Sequence, residues 1–268
     1  MTALGEISLA TLLAVAAAMT LLWIISIAAR DSSIVDIFWG IGFTLIAWMP
    51  FALGAHLTLR KVAVVALTTL WGLRLAVHLA WRNVGQGEDA RYRAMREHHG
   101  RSFPIVSLYL VFGLQGALMW VVSLPIQATQ ATSHAAPLGL WDALGVGVWG
   151  LGFVIESVAD YQLLQFRSAR ENSGRVMDQG LWAWSRHPNY FGDALVWWGL
   201  YGFAAATGQY WTALGPALMT GLLLRVSGVP MLERRLRETR PGYAEYAAHT
   251  SAFLPWPPRR REPLSTMP

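Results

Sequence analysis

One stretch of the chain combines arginines, amides and carboxylates in a pattern that suits an anionic ligand. Residues 160–193 read DYQLLQFRSARENSGRVMDQGLWAWSRHPNYFGD and run directly into an apolar segment. Arginine guanidinium groups bind phosphates through two parallel hydrogen bonds, and the first turn of a helix adds backbone N–H donors and a partial positive charge. The polar side chains of this stretch that suit such a ligand are Asp160, Arg167, Arg170, Asn172, Arg175, Arg186, His187, Asn189, Tyr190 and Asp193.

The string RHPNYFGD at the end of this stretch favours a ligand site over a plain loop. Pro188 suits the first turn of a helix, and Asn189 and Asp193 then share one helical face at membrane depth, where unpaired polar groups are costly. The alternative is a cytoplasmic loop whose arginines only set the membrane orientation, with Trp182 and Trp184 as interface anchors.

A second polar segment, residues 83–100, reads NVGQGEDARYRAMREHHG. Most of it is expected to be a solvated amphipathic turn, whereas Asp89, Arg91 and Tyr92 are candidate ligand contacts. Its glycines do not match the G-x-G-x-x-G pattern and follow no strand, so the sequence excludes a Rossmann domain.

Several ionisable residues lie inside otherwise apolar segments, where a charge is expensive and by default indicates a function and a partner. Asp36 and Arg74 form a natural pair, and His78 lies one turn beyond Arg74 on the same helical face. These three are the candidate catalytic groups. The alternatives are a buried structural ion pair for Asp36 and Arg74 and a helix–helix hydrogen bond for His78. Glu156 and Asp160 are further residues of this class.

The C-terminal part of the chain adds two charged candidates and two aromatic ones. Arg225 lies near the end of an apolar segment, and Glu233 follows Pro230 at an expected helix break. Tyr243 and Tyr246 suit either the face of a flat ring or the aromatic belt of a membrane interface, and both interpretations stay open.

No metal site is expected. The chain has no cysteine, which removes disulfides, thiolate nucleophiles and cysteine-based zinc or iron–sulfur sites. Neither His98 with His99 nor His187 with Asp193 has the spacing of a metal-ligand set.

Membrane helices must position these residues, because the composition excludes the other classes of protein. Of the 268 residues, 54% are hydrophobic and only 14% are charged, whereas soluble domains are about a quarter charged. The 14 Trp, 10 Phe and 8 Tyr also exclude a disordered chain. The net charge of +5 is spread between apolar segments, so no nucleic acid partner is expected, and no protein partner is implied.

The pattern of apolar segments predicts an all-α integral membrane protein with seven transmembrane helices, since each span needs about 20 mostly apolar residues. The arginine and lysine distribution places the N-terminus outside and the C-terminus, with the long polar loops, in the cytoplasm. One domain is expected over residues 1–258, followed by a basic tail at 259–268 against anionic membrane lipids. The seven candidate spans are residues 7–28, 34–54, 62–81, 105–127, 138–159, 191–206 and 210–230.

Four strings resemble the bacterial DUF1295 branch of the steroid 5α-reductase family and occur in family order: DSSIVDIFWGIGF at 31–43, GEDARYRAMRE at 87–97, RHPNYFGDALVWWG at 186–199 and YAEYAAHTSAFLPWPP at 243–258. That family consists of seven-helix membrane oxidoreductases that use NADPH to reduce the carbon–carbon double bond of an enone such as a 3-oxo-4-ene steroid. The resemblance implies NADPH as the cofactor and a lipophilic substrate that enters from the bilayer. In a bacterium it also implies the inner membrane, with the cofactor site facing the cytoplasm.

The resemblance also assigns roles to individual residues. Trp39 and Trp71 are expected to wall the substrate cavity. Animal steroid reductases pair an acid on span two with a tyrosine on span three, but span three of this chain has no tyrosine. A protonated Asp36 or Arg74 is therefore the expected proton donor, with His78 nearby. The residues expected to bind the cofactor are Asp89, Arg91, Tyr92, Asp160, Arg167, Asn172, Arg175, Arg186, His187, Asn189, Tyr190, Asp193, Arg225, Glu233 and Tyr246.

A weaker resemblance is to the isoprenylcysteine carboxyl methyltransferases. These enzymes share an RHP-type motif before a short helix and an acidic-plus-tyrosine segment near the C-terminus, and they bind S-adenosylmethionine from the cytosolic side. Methyl transfer is therefore the alternative function. A non-catalytic membrane scaffold, whose polar clusters only set the topology, is the third hypothesis.

Overall fold

The structure, a computed structural model, describes residues 3–53, 57–132, 137–226 and 228–258. Within these ranges the secondary structure is helical and includes no strand, which confirms the all-α prediction. The α-helices are α1 (Ala3–Ala29), α2 (Ile34–Leu53), α3 (Leu59–Asn83), α4 (Ala90–His99), α5 (Phe103–Ser107), α6 (Leu114–Val122), α7 (Leu124–Ala131), α8 (Leu140–Ser168), α9 (Pro188–Ala205), α10 (Leu214–Arg225), α11 (Val229–Thr239) and α12 (Tyr243–His249).

Several helix ends follow from the local sequence. The side chains of Thr58 and Asp89 accept hydrogen bonds from backbone N–H groups in the first turns of α3 and α4, as N-cap residues do. Pro188 is the first residue of α9, as the sequence predicted. Gly242, with φ of 81°, turns the chain into α12 in a conformation that favours glycine.

Six helical stretches are long and apolar enough to cross a membrane, as in a multi-pass membrane protein. The expected span at residues 191–206 falls in α9, which opens with polar residues and is not one of these six among the described residues. The seven-span count and the orientation stay predictions, and the basic tail at 259–268 lies outside the described residues. The six stretches are Ala3–Ala29, Ile34–Phe51, Leu59–Asn83, Ala90–Val122, Leu140–Ser168 and Tyr210–Thr239.

The chain divides into two compact units, and α8 and α9 each contribute to both. The first unit comprises Met1–Ala143 and Leu200–Gly215, and the second comprises Leu144–Gly199 and Pro216–Pro268.

In the first unit, α2 and α3 pack closely along their length. Gly40 and Gly72 face each other so tightly that a Cβ atom on either would collide with the carbonyl oxygen of the other. Small residues allow this close approach between helices in a membrane. Beside this contact, the buried rings of Phe43 and Trp71 lie 5.8 Å apart.

A buried ion pair connects α3 to α8 within the first unit. The Arg60 guanidinium donates to both carboxylate oxygens of Asp142, at 2.7 and 2.8 Å, and also to the carbonyl of Pro137. Both side chains are almost fully buried, at 5% and 3% exposure. The stability of such a buried pair depends on its hydrogen-bond geometry, because water solvates neither charge.

In the second unit, α8 and α9 pack through glycines in the same way. A Cβ atom on Gly152 would lie 2.5 Å from the Gly192 carbonyl oxygen. The indole of Trp182 donates to the carbonyl oxygen of Ala159, which fixes the loop before α9 against α8. This loop and the end of α8 carry the arginine-rich stretch.

Candidate functional site

The second unit contains a cavity of about 640 Å³ whose lining is rich in arginine. The end of α8, the loop that follows it, α11 and α12 supply the walls. Two of the arginines come from positions that the sequence did not assign to the cofactor, Arg170 and Arg240. The full set of arginines in the lining is Arg167, Arg170, Arg175, Arg186 and Arg240.

Aromatic and apolar side chains form the rest of the cavity wall. Trp182, Phe166, Tyr243 and Tyr246 present rings, and leucines of α8 and α11 add apolar surface. Asn172 donates from its side chain to the carbonyl oxygen of Phe166 and so shapes the loop after α8. Cationic groups beside flat rings suit a ligand that carries both phosphates and planar heterocycles.

Three arginines of the cavity have no competing carboxylate. Arg170, Arg175 and Arg240 form no ion pair with any residue in the described part of the chain. Arg170 and Arg175 are exposed, and Arg240 is half-buried. These three guanidinium groups are therefore available to an incoming anion.

Arg186 is held differently, by groups of the protein itself. Its Nε donates to Oε1 of Glu233 at 2.7 Å, and its Nη1 donates to the carbonyl oxygens of Ala247 and Thr250 at 2.7 and 2.8 Å. Glu233 also lies 3.3 Å from Nε2 of the buried His187. Glu233 and His187 thus contact Arg186 or each other, and neither lines the cavity.

Other predicted cofactor residues lie near the start of α9 and outside the cavity lining. Asn189 donates to Oδ1 of Asp160 at 3.1 Å, which ties α9 to α8. The ring of Tyr190 stacks on His187, with centroids 5.3 Å apart and planes 5° apart. Asp193 lies in the first turns of α9, and Arg225 ends α10. Their assignment to a cofactor stays a prediction.

The tyrosines of α12 remain neutral hydrogen-bonding groups over the whole physiological pH range. Burial, with the negative charge of Glu233, raises the pKa of Tyr243 to about 12. Burial also raises the pKa of Tyr246, whose hydroxyl donates to the carbonyl oxygen of Trp182 at 2.5 Å. The second tyrosine thus anchors α12 to the loop before α9.

The first unit contains a separate polar cluster around Asp36. Its Oδ2 accepts from Nη2 of Arg91 at 2.8 Å, and its Oδ1 accepts from the hydroxyl of Tyr92 at 2.7 Å. The Nε of Arg91 donates to Oδ1 of Asp89 at 2.9 Å. Arg91 and Tyr92 thus bind one carboxylate oxygen each, whereas the sequence favoured Arg74 as the partner of Asp36, and that pairing stays a prediction. Helix α4 reaches Asp36 because its N-terminus folds back towards the start of α2.

Gln115 on α6, which the sequence did not single out, extends the Asp36 cluster. The side-chain amide of Gln115 donates to the hydroxyl oxygen of Tyr92 at 3.1 Å, and Gln115 accepts from the indole of Trp39 at 2.5 Å. Trp39, predicted to contact substrate, is thus joined to Asp36 through two side chains. A lone glutamine in an apolar segment, at a depth where polar groups need partners, was the available signal.

The carboxylate of Glu88 accepts a set of hydrogen bonds that hold α4 in place. The backbone N–H of Ser32 donates to Glu88 at 2.9 Å, and Arg96 donates to both of its carboxylate oxygens at 2.7 and 2.9 Å. The backbone N–H of Asp89 donates to the hydroxyl of Ser33 at 2.7 Å. Burial alone would raise the pKa of Glu88, but Arg96 and the Ser32 N–H outweigh it and hold that pKa below its usual range.

Comparison with known proteins gives one family. The family model for DUF1295, described as a protein of unknown function, matches residues 22–250. This chain belongs to the DUF1295 family. It is also 24% identical to "Uncharacterized protein C594.04c" of Schizosaccharomyces pombe over 262 residues, which cover 87% of this chain and 75% of that protein. No solved structure matches.

The DUF1295 match spans both groups of polar residues. In the first unit, Asp36, Arg91 and Tyr92 are in direct contact, and Arg74, His78 and the buried Trp71 lie on α3. In the second unit, the cavity brings together five of the predicted cofactor residues. These are Arg167, Asn172, Arg175, Arg186 and Tyr246. Within the described ranges no three or more His, Asp or Glu side chains lie together as a metal site would require.

Proposed function

We propose that this DUF1295 protein is an NADPH-dependent reductase that saturates the carbon–carbon double bond of a lipophilic enone, most simply a 3-oxo-4-ene steroid. The observation that carries the proposal is the cavity of about 640 Å³ with five arginines and four aromatic rings in its lining. NADPH combines a pyrophosphate and a 2′-phosphate with two planar heterocycles. The cavity offers donors for the first and surfaces for the second.

The charge of the cavity favours NADPH over S-adenosylmethionine as the proposed ligand. Three of its arginines lack an ion-pair partner among the described residues, so the cavity lining carries a net positive charge. NADPH is a polyanion, whereas S-adenosylmethionine carries an ammonium and a sulfonium against one carboxylate. A cationic site attracts the first and repels the second. Methyl transfer therefore remains only the alternative that the experiment must test.

The reaction class is supported by the sequence and by the membrane architecture. The strings that resemble the steroid 5α-reductase family include both the Asp36 segment and the segment that starts at Arg186. Several helices are long enough to span a bilayer, and a bilayer concentrates lipophilic substrates around such helices. We place the substrate among membrane lipids for this reason.

Reduction of an enone needs a hydride, a proton and a donor at the carbonyl oxygen. NADPH, when bound, supplies the hydride that adds to the β-carbon. Negative charge then develops on the carbonyl oxygen, and a proton must reach the α-carbon to complete the saturated ketone. In the first unit, the hydroxyl of Tyr92 donates to Oδ1 of Asp36 across a 2.7 Å hydrogen bond. We assign the acid role to this pair. Asp36 thereby keeps the role that the sequence suggested for it, and Tyr92 moves from the expected cofactor contacts to the acid.

The proposal is tested by turnover of the protein in lipid nanodiscs. NADPH carrying deuterium at the transferred position is supplied with a 3-oxo-4-ene steroid, and the product is examined by mass spectrometry. We expect one deuterium at the β-carbon and loss of the double bond. Absence of steroid reduction, together with methylation of a prenylated cysteine substrate by S-adenosylmethionine, would establish the alternative.

Variants of the cavity connect this activity to the structure. Arg175→Gln combined with Arg240→Gln should raise the Kd for NADPH by at least about 100-fold, because each charge-assisted hydrogen bond contributes about 1.5–3 kcal/mol. Arg235→Gln is the matched control, since Arg235 is exposed on α11 and does not line the cavity. An equal loss of affinity in the control would show that overall charge, and not the cavity, governs binding.

A further inference from the structure

The guanidinium of Arg186 lies at the C-terminal end of α12. Its Nη1 donates to the carbonyl oxygens of Ala247 and Thr250, which belong to or follow the last turn of that helix. Carbonyl groups in a last turn have no partner within the helix, and a basic side chain that binds them stabilises the helix end. Arg186 therefore acts as a C-terminal cap for α12.

More hydrogen bonds join the same two segments. We call residues 243–256 the C-terminal strap. The backbone N–H of Arg186 donates to the carbonyl oxygen of Ser251 at 2.8 Å, and the hydroxyl of Ser185 donates to Phe253 at 2.8 Å. The backbone N–H of Trp256 donates to the carbonyl oxygen of Trp184 at 2.9 Å. The strap is thus fixed to the loop before α9, and Arg186 makes the central contacts.

The strap matters to the cavity because α12 forms part of its wall. Tyr243 and Tyr246 both lie on α12 and both line the cavity. Glu233, on α11, neutralises Arg186 at 2.7 Å and has a side chain only 12% exposed. The pair Arg186–Glu233 therefore joins three elements: the loop before α9, α11 and α12.

Because of these contacts, the Arg186 guanidinium cannot bind a phosphate through two parallel hydrogen bonds. A guanidinium fork needs two neighbouring N–H groups along one edge. The Nε–H is bound to Glu233, and Nη1 is bound to two carbonyl oxygens. Neither edge of the Arg186 guanidinium is complete, whereas Arg170, Arg175 and Arg240 form no ion pair within the described chain.

We propose that Arg186 and Glu233 are positioning residues that hold the tyrosine-bearing strap in the cavity wall, and that Arg170, Arg175 and Arg240 are the phosphate-binding residues. The assignment rests on the proposed function only in taking NADPH as the ligand. The alternative is that Arg186 leaves Glu233 and binds a phosphate directly.

The substitution Glu233→Gln separates the two accounts by the sign of its effect. If Arg186 were a phosphate ligand, removal of the competing carboxylate would free it, and NADPH would bind more tightly. If the Arg186–Glu233 pair holds the C-terminal strap in place, its loss loosens the strap and the affinity for NADPH falls. We expect the Kd for NADPH to rise by about tenfold, the loss of one charge-assisted hydrogen bond. Glu233→Asp, which keeps the carboxylate, should recover most of the affinity.

Two further measurements complete the test. The backbone amides of the strap should exchange with deuterium faster in Arg186→Gln and Glu233→Gln than in the unaltered protein, and at the normal rate in Arg175→Gln. The salt dependence of NADPH affinity should be weaker in Arg175→Gln, because one phosphate contact is lost, and unchanged in Arg186→Gln.

Tighter NADPH binding by Glu233→Gln, or unchanged strap exchange in both Glu233→Gln and Arg186→Gln, would overturn the proposal. If Arg186→Gln does not fold, the Glu233 variants still decide between the accounts. If the unaltered protein binds no NADPH, the proposed function fails, whereas the exchange rates still show whether Arg186 and Glu233 hold the strap.

Discussion

The hydroxyl of Tyr92 donates to Oδ1 of Asp36 at 2.7 Å, although the two residues lie 56 positions apart in the chain. Arg91 binds the other carboxylate oxygen at 2.8 Å. Two consecutive residues of α4 therefore bind the one carboxylate of Asp36. Tyr92 offers it a hydroxyl proton, and Arg91 offers it a positive charge.

Removal of the Tyr92 hydroxyl tests the acid role of this pair. Tyr92→Phe keeps the ring and deletes the O–H, so we expect turnover of the enone to fall by about 100-fold or more, the usual contribution of a positioned acid. The Kd for NADPH should not change. Tyr109→Phe is the control, because Tyr109 lies in the π-helical turn Leu108–Gly113 and its side chain is exposed. Full turnover by Tyr92→Phe would exclude Tyr92 as the donor.

The Glu88 contacts predict a pH dependence of stability. The pKa of Glu88 is lower in the folded protein than its usual value of 4.5. The stabilisation is therefore complete above that value and is lost as the pH falls through the lower folded-state pKa. Thermal midpoints of the protein in detergent should show this loss at acid pH. Glu88→Gln should be destabilised at neutral pH and should lose this part of the acid dependence.

The exposed Glu97, on the same helix, provides the control for Glu88. Glu97→Gln should leave both the thermal midpoint and its acid dependence as they are in the unaltered protein. Identical pH profiles for Glu88→Gln and the unaltered protein would contradict the account of Glu88.

The buried pair Arg60–Asp142 should be intolerant of single changes. Asp142→Ala leaves an unpaired guanidinium with 5% exposure, and such losses cost about 3–5 kcal/mol. The double replacement of Arg60→Met and Asp142→Leu should be less destabilising than the sum of Arg60→Met alone and Asp142→Leu alone. A double-mutant cycle of unfolding measures this coupling, and additive effects would contradict it.

The contact between α2 and α3 predicts a steric effect. Gly40→Ala places a Cβ atom against the backbone of Gly72, so it should reduce the yield of folded protein and lower its thermal midpoint. Gly147→Ala, on α8, is the matched control because its added Cβ meets no atom within 4 Å beyond the backbone of its own helix. Equal stability of both variants would contradict the close packing of α2 against α3 at Gly40 and Gly72.

The general architecture and the arginine-rich stretch were predictable from the sequence, because both depend on local composition. Apolar runs predicted helices, and the cluster at 160–193 contains four of the five arginines of the cavity. Arg240 was missed because it joins the cavity only through the packing of α11, which no local pattern encodes.

The contacts of Asp36 were not predictable for the same reason. Arg74 lies at membrane depth like Asp36 and was the natural partner by pattern, whereas Arg91 and Tyr92 lie just past a polar loop. Only the fold-back of α4, fixed by Glu88, brings them to Asp36. The structure also separates Arg186 from the other arginines, since the carboxylate and carbonyl groups around it come from α11 and the strap.

The central claim, that the arginine-lined cavity binds NADPH, is tested most directly by thermal stability of the detergent-purified protein with NADPH, NADH, S-adenosylmethionine or no ligand. A ligand that binds only the folded state stabilises it by about 2.7 kcal/mol at 100 times its Kd. We predict a rise in the thermal midpoint with NADPH, a smaller one with NADH, which lacks the 2′-phosphate, and none with S-adenosylmethionine. A rise with S-adenosylmethionine alone, or no rise with NADPH, would contradict the claim.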